Sequence, residues 1–131
     1  MILDRRLKEF GFGIWEGKTA QELTASADPA FRKWSRGHWV LPRGAERLAS
    51  LNKRIDGFLK DSAAKHSGKT VVVVAHGGVV KMLMMRAAGI GLKSYGLFQI
   101  RPASISVLDV FKSNARIMSL NDVCHLTVAS S

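Results

Sequence analysis

From Thr70 the chain reads "TVVVVA" and then meets His76, Gly77 and Gly78. A β-branched run that is apolar on both faces is the pattern of a strand buried in a parallel sheet, and residues 70–75 are expected to form one. A helix is expected to follow from about Gly78 to Ala88, closed by Gly89. Upstream, Leu48, Leu51, Ile55, Phe58, Leu59 and Ala63 recur at steps of three and four, which draws one apolar stripe along a long helix. Gly68 ends it. Two shorter helices carry start signals. Thr19 stands three residues before Glu22, a capping-box pattern. Asp28 and Pro29 supply an N-cap and a first helical residue, with Gly37 as the stop. Near the end, "SISVLDVFK" and "RIMSLN" read as strands with a turn at "SNA" between them. The first 18 residues contain no convincing strand. Helices, strand, helix and two strands make an α/β layered domain whose last two strands pair as a hairpin.

A length of 131 residues sets one domain, residues 1–131. At 47% apolar and 23% charged the composition is that of a globular protein. No apolar run approaches the roughly 20 residues that span a bilayer. The start, "MILDRRLKEFG", is charged too early for a secretory leader, so a cytoplasmic location without membrane partners is expected. Cys124 is the one cysteine, which rules out an internal disulfide and a cysteine-based metal cage. The formal charge of +10 predicts attraction to anions. Lys and Arg are scattered from Arg5 to Arg116 instead of concentrated on one helix or tail, which argues against nucleic acid as the partner.

Two stretches carry candidate chemistry. His76 sits where a strand ends, and in α/β sheets ligands bind beyond the carboxyl ends of strands. Gly77 and Gly78 allow a tight turn and close backbone approach. The helix they open offers free N–H groups and the positive end of its dipole, a setting suited to phosphate. The same pattern also fits a histidine that merely caps the strand and bonds a neighbouring loop. The second stretch is "LKEFGFGIWEGKT", with three glycines, two glutamates and little periodicity. It is either a structural turn or the wall of a site. Partial burial would suit Glu9 to proton donation near neutrality. On spacing alone, Glu9 better fits a surface carboxylate paired with Arg5 or Arg6.

Together these stretches resemble the histidine phosphatase superfamily, the phosphoglycerate mutase-like proteins. "LKEFGFGIWEGKTAQEL" resembles the family segment with Glu, an aromatic-Gly pair and Trp-Glu-Gly, and "VVVVAHGGVVKMLM" its second histidine motif. "PRGAERLASLNKRIDGFL" is similar to the intervening Pro-x-Gly-Glu-Ser helix, with Ala45 as an extra residue before Glu46. "SISVLDV" and "IMSLNDVCHL" are similar to the closing strands and the Asn-Asp-x-x-His-Leu ending. The resemblance runs over nearly the whole chain. It implies an α/β fold with a mainly parallel sheet flanked by helices, and phosphoryl transfer through a phosphohistidine, with no metal or other cofactor. By motif match Glu9 is the proton donor and acceptor. His76 hydrogen-bonds the transferring phosphoryl, and the Gly77 backbone N–H adds a donor. Such donors stabilise the charge spread over the phosphoryl oxygens.

The departures from the family pattern matter as much. That pattern begins with a strand ending in Arg-His-Gly, which carries the nucleophilic histidine and a phosphate-gripping arginine, and a second arginine follows before the Glu motif. Neither stands in this sequence. His38 lacks that context, His66 falls near a helix end, and His125 matches the structural ending. The chain therefore resembles the C-terminal two-thirds of such a protein, truncated at its N-terminus, and alone is expected to be inactive or strongly impaired. Absence of the first strand is expected to leave an apolar edge beside residues 70–75 and to favour a homo-oligomer. "FGIWEGKT" resembles the phosphatase branch, including α-ribazole-phosphate and broad-specificity phosphatases, whereas mutases carry Gln-Gly where Trp15-Glu16-Gly17 stands. A phosphomonoesterase acting on a phosphorylated small molecule is favoured. The alternatives are a mutase, or a non-catalytic module that binds phosphorylated ligands or other anions.

Overall fold

A computed structural model describes residues 1–112 and 114–126. Four α-helices and one β-hairpin are joined by loops and short 3-10 turns. Helix α1 spans Ala20–Ala25 and α2 spans Pro29–Trp34. Both start as their sequences dictate. Thr19 and Glu22 form a reciprocal capping box, and the Asp28 carboxylate accepts from the N–H groups of Ala30 and Phe31. Gly37 then adopts φ 85°, a conformation open to glycine at little cost.

Helix α3 covers Leu48–Lys65, and α4 covers Gly77–Ala87. They carry most of the core. Leu51, Ile55 and Phe58 from α3 meet Val79, Met82, Leu83 and Met85 from α4, joined by Phe10 and Tyr95. Each fully buried aliphatic side chain here stabilises the fold by roughly 1.5–3 kcal/mol. Tyr95 comes from a 3-10 segment, Leu92–Leu97. A satellite cluster of Trp15, Leu23 and Phe31 holds α1 and α2 together, and Phe12 packs against both clusters.

Strands β1 (Ile105–Val110) and β2 (Ala115–Asp122) pair antiparallel, as the hairpin pattern predicts. The Phe111 N–H bonds the Asn114 carbonyl to close the loop. Ser113, the first residue of the expected turn, lies outside the described residues.

The reading of residues 70–75 requires correction. They form no regular element and pair with no strand among the described residues, and Val72 and Val74 are 85% and 89% exposed. The pattern read from sequence was that of a buried parallel strand, and such a strand needs neighbours on both edges and both faces. Among the described residues no strand bonds to this one, and the only sheet is the antiparallel hairpin. The outward side of that hairpin is also apolar and exposed, through Ile105, Val107, Met118 and Leu120. A mainly parallel sheet is therefore not present among the described residues.

Candidate functional site

Glu9 stands in the loop that follows a 3-10 turn at Arg5–Leu7. The surface-pair reading of Glu9 does not hold for Arg6, whose guanidinium binds Asp4 and Asp61. Glu9 is half-buried, and its Oε1 accepts from the Phe10 N–H at 2.7 Å. The same oxygen lies against the Cα of Gly78, where a Cβ would come within 2.8 Å of it. The Tyr95 hydroxyl crowds the same point at 2.9 Å. Gly78 is therefore the gap into which the Glu9 carboxylate fits.

Gly78 is the second residue of α4, and His76 is its N-cap, with extended backbone (φ −108°, ψ 163°) and an exposed ring. The His76 carbonyl accepts the first helical bond, from Val80 N–H. Its imidazole makes no capping bond to the helix. Gly77 follows beside the Ile100 carbonyl. The first N–H groups of α4, which have no partner within the helix, open at this end. Thus Glu9 meets the helix start that carries His76 and Gly77.

The other histidines belong to other elements. His38 follows α2 and is exposed, His66 is the C-cap of α3, and His125 belongs to the 3-10 turn Cys124–Leu126.

Several residues that the sequence reading did not single out hold the Glu9 loop. The Arg54 guanidinium reaches from α3 to the Glu46 carboxylate through two bonds of 2.8 Å. It also donates to the carbonyls of Arg6, Lys8 and Glu9. Glu46 in turn exchanges bonds with Gly11: its N–H donates to the Gly11 carbonyl and its carboxylate accepts the Gly11 N–H. Arg54 holds the Glu46 carboxyl below its ordinary value. Lys53, Arg54 and Asp56 all stand between Leu51 and Phe58, so the sequence does not single out Arg54. Trp15 is structural: its indole donates to Asp28, the cap of α2. Gly13, at φ 55°, has backbone of Arg43, Gly44 and Ala45 within 2.4–2.5 Å of where a Cβ would stand, so this turn admits only glycine.

The chain is similar to known proteins over most of its length. The sequence profile of the histidine phosphatase superfamily (branch 1) matches residues 1–123. Phosphoserine phosphatase 1 of Hydrogenobacter thermophilus is 32% identical over 127 residues, 96% of this chain and 60% of that protein. Phosphoglycerate mutase-like protein 4 of Arabidopsis thaliana is also 32% identical, over 96% of this chain and 55% of that protein. Among solved structures, Bacillus stearothermophilus YhfR superposes with a TM-score of 0.79 at 28% identity, over 94% of this chain and 62% of that one. A mycobacterial glucosyl-3-phosphoglycerate phosphatase superposes with a TM-score of 0.73 at 25% identity, over 90% and 64%. The chain spans about 60% of the length of the phosphoserine phosphatase it matches. Among the described residues no helix is long and apolar enough to cross a membrane.

Proposed function

The chain belongs to the histidine phosphatase superfamily, and on that premise we propose that it serves phosphomonoester hydrolysis by way of a phosphohistidine. The observation that carries the reading is the Glu9 carboxylate seated against Gly78, at the start of the helix that His76 caps. A proton donor and a phosphate-suited helix terminus then share one site. In the first step a histidine nitrogen attacks phosphorus, the ester P–O bond breaks, and the leaving oxygen takes a proton from the Glu9 carboxylic acid. In the second step the Glu9 carboxylate takes a proton from water as that water attacks the phosphohistidine, releasing phosphate and restoring the acid. His76 and the Gly77 N–H bond the phosphoryl oxygens, where charge is spread in the transition state. The nucleophilic histidine comes from outside residues 1–131, since no Arg-His-Gly stands within them. Residues 1–131 are then one part of a domain whose mainly parallel sheet includes residues 70–75, and the unpaired Val71–Val74 edge supports that reading.

The names of the relatives, phosphoserine and α-ribazole phosphatases among them, favour hydrolysis over mutase activity. A cytoplasmic location and a small phosphorylated substrate fit the same reading. The alternative of a non-catalytic phospholigand-binding module rests on the absence of the nucleophile from this sequence. The test is hydrolysis of p-nitrophenyl phosphate with EDTA present. The expected result is turnover by a protein extended with an Arg-His-Gly segment, none by residues 1–131 alone, and a larger loss in kcat than in KM for Glu9→Gln. Brisk turnover by residues 1–131, abolished by changing His38, His66 or His125, refutes the assignment.

A further inference from the structure

Lys81 lies one turn beyond Gly78 on the same face of α4, the spacing at which helix side chains are neighbours. It is the lone charge between Val71 and Met85 and is only partly exposed. Its ammonium lies over the Tyr95 ring, 4.5 Å from the centroid, and 5.7 Å from that of Trp39. Those rings meet edge to face with centroids 4.5 Å apart. The Tyr95 hydroxyl donates to the Gly78 carbonyl at 3.0 Å, which ties this aromatic floor to the turn of helix that Glu9 touches. A lysine would ordinarily extend its ammonium into water. Here the cation is held against two π faces, a setting that compensates for part of its lost hydration.

We propose that Lys81 is a positioning residue for Glu9: pinned on Tyr95 and Trp39, it supplies the fixed cation that keeps the Glu9 carboxylate in its seat against Gly78. The inference rests on the proposed role of Glu9 and deepens it. The charged and titratable groups near the pair are few. Glu9 comes from the loop, Tyr95 from the 3-10 segment, and Glu46 with Arg54 holds the backbone of that loop. Burial pushes the Lys81 ammonium down from its ordinary range, and Glu9 pulls it back up. Glu9 is the carboxylate of this group whose charge acts on Lys81, and its Oε1 approaches the same point beside Gly78 as the hydroxyl of Tyr95, the ring under the ammonium, so the coupling can be measured without turnover.

The experiment is an NMR titration of the Lys81 side chain in residues 1–131, with and without Glu9→Gln. The expected result is a Lys81 midpoint below that of the exposed lysines, moved further down by Glu9→Gln. A midpoint that Glu9→Gln leaves unchanged or raises overturns the proposal. A role in packing alone would not respond to this nearly isosteric change. In a longer protein that hydrolyses p-nitrophenyl phosphate, Lys81→Met should lower kcat on the order of tenfold, a fraction of what a general acid contributes. KM should change little, and Lys81→Arg should restore most of the rate. Unchanged kcat in Lys81→Met sinks the inference while leaving the phosphatase reading intact. If no such protein turns over, the phosphatase reading fails, and the titration still decides whether Lys81 and Glu9 are coupled.

Discussion

Replacing Arg54 by alanine is expected to be among the costliest single changes in the chain. Its side chain and that of Glu46 are 13% and 16% exposed, so the pair is largely withdrawn from water. The substitution removes two charge-assisted bonds to Glu46 and the bonds to the carbonyls of Arg6, Lys8 and Glu9. Taken singly at about 1.5 kcal/mol for each charged bond, the sum would exceed the usual range for one substitution. The bonds share one guanidinium and are not additive. Breaking a buried pair by removing one partner costs about 3–5 kcal/mol, because the remaining charge is left uncompensated. Water can reach part of Glu46, which places the expected loss near the lower end, at about 3 kcal/mol. For a chain of this size that lowers Tm by about 10 °C.

The assay is urea unfolding followed by circular dichroism, with Arg86→Ala as the internal control. Arg86 also binds a carboxylate, that of Asp56, but its side chain is 40% exposed. Solvent screening limits such a pair to about 1 kcal/mol or less. The pH dependence gives a second reading. Arg54 depresses the Glu46 pKa from its ordinary 4.5. A depressed carboxyl contributes stability that is fully present above the unfolded value and is lost as pH falls through the folded value. The gap between the native chain and Arg54→Ala should therefore narrow as pH falls below about 4.5. Equal losses for Arg54→Ala and Arg86→Ala at neutral pH would refute the argument that withdrawal from water is what makes the Arg54 pair matter.

Three further outcomes can be checked. Gly78→Ala adds a Cβ at 2.8 Å from the Glu9 carboxylate and 2.9 Å from the Tyr95 hydroxyl, so it should destabilise the chain although alanine is the better helix former by about 1 kcal/mol; thermal melts against Gly91→Ala, where nothing lies within 4 Å, make the comparison. Gly13→Ala should cost more than Gly17→Ala: both have positive φ, worth about 1–2 kcal/mol of strain, but only Gly13 also meets backbone; equal urea midpoints for the two would contradict this. Val72→Lys with Val74→Lys should reduce self-association of residues 1–131 in light scattering while shifting the thermal midpoint little, since both side chains are already exposed; an unchanged oligomeric mass would remove this edge as its cause.

What could be read from the sequence was local. The Thr19–Glu22 box and the Asp28–Pro29 start involve groups three residues apart or fewer, so the short-range pattern determines them. The stripe of α3 was legible because a single apolar face must meet a core. The β-branched run at residues 70–75 suits a buried strand, but pairing is a property of neighbours, not of the run itself. Arg54, Lys81 and Tyr95 escaped notice for a related reason. Arg54 reaches Lys8 across 46 positions and Tyr95 reaches Gly78 across 17, and no spacing rule links residues so far apart. Lys81 left one trace, a lone charge in an otherwise apolar stretch, whereas Arg54 stands among Lys53 and Asp56 and left none.

The two halves of the candidate site are held by different means. Glu9 is fixed from behind by Arg54 and Glu46, from below by Phe10 in the core, and in front by the Gly78 gap. Each of these constraints lies within residues 1–131, so the position of Glu9 follows from contacts already present. His76 is held by backbone hydrogen bonds on one side only, although Val73 and Ala75 before it pack against the core. After it, α4 is anchored by Val79 and Met82, both fully buried. Before it runs a segment whose backbone bonds to no strand among the described residues. The position of an imidazole depends on the backbone on both sides of it, and catalysis is sensitive to displacements of about 1 Å. Pairing of residues 70–75 with a further strand should therefore act on His76 much more than on Glu9. Amide hydrogen exchange can separate the two: the Phe10 and Gly11 N–H groups, bonded to Glu9 and Glu46, should be protected in residues 1–131 alone. Those of residues 71–75 should exchange freely and gain protection only when a partner strand is supplied. Strong protection at 71–75 in the isolated chain would mean that it already pairs there with a second copy, and the light-scattering mass would then have to be that of an oligomer.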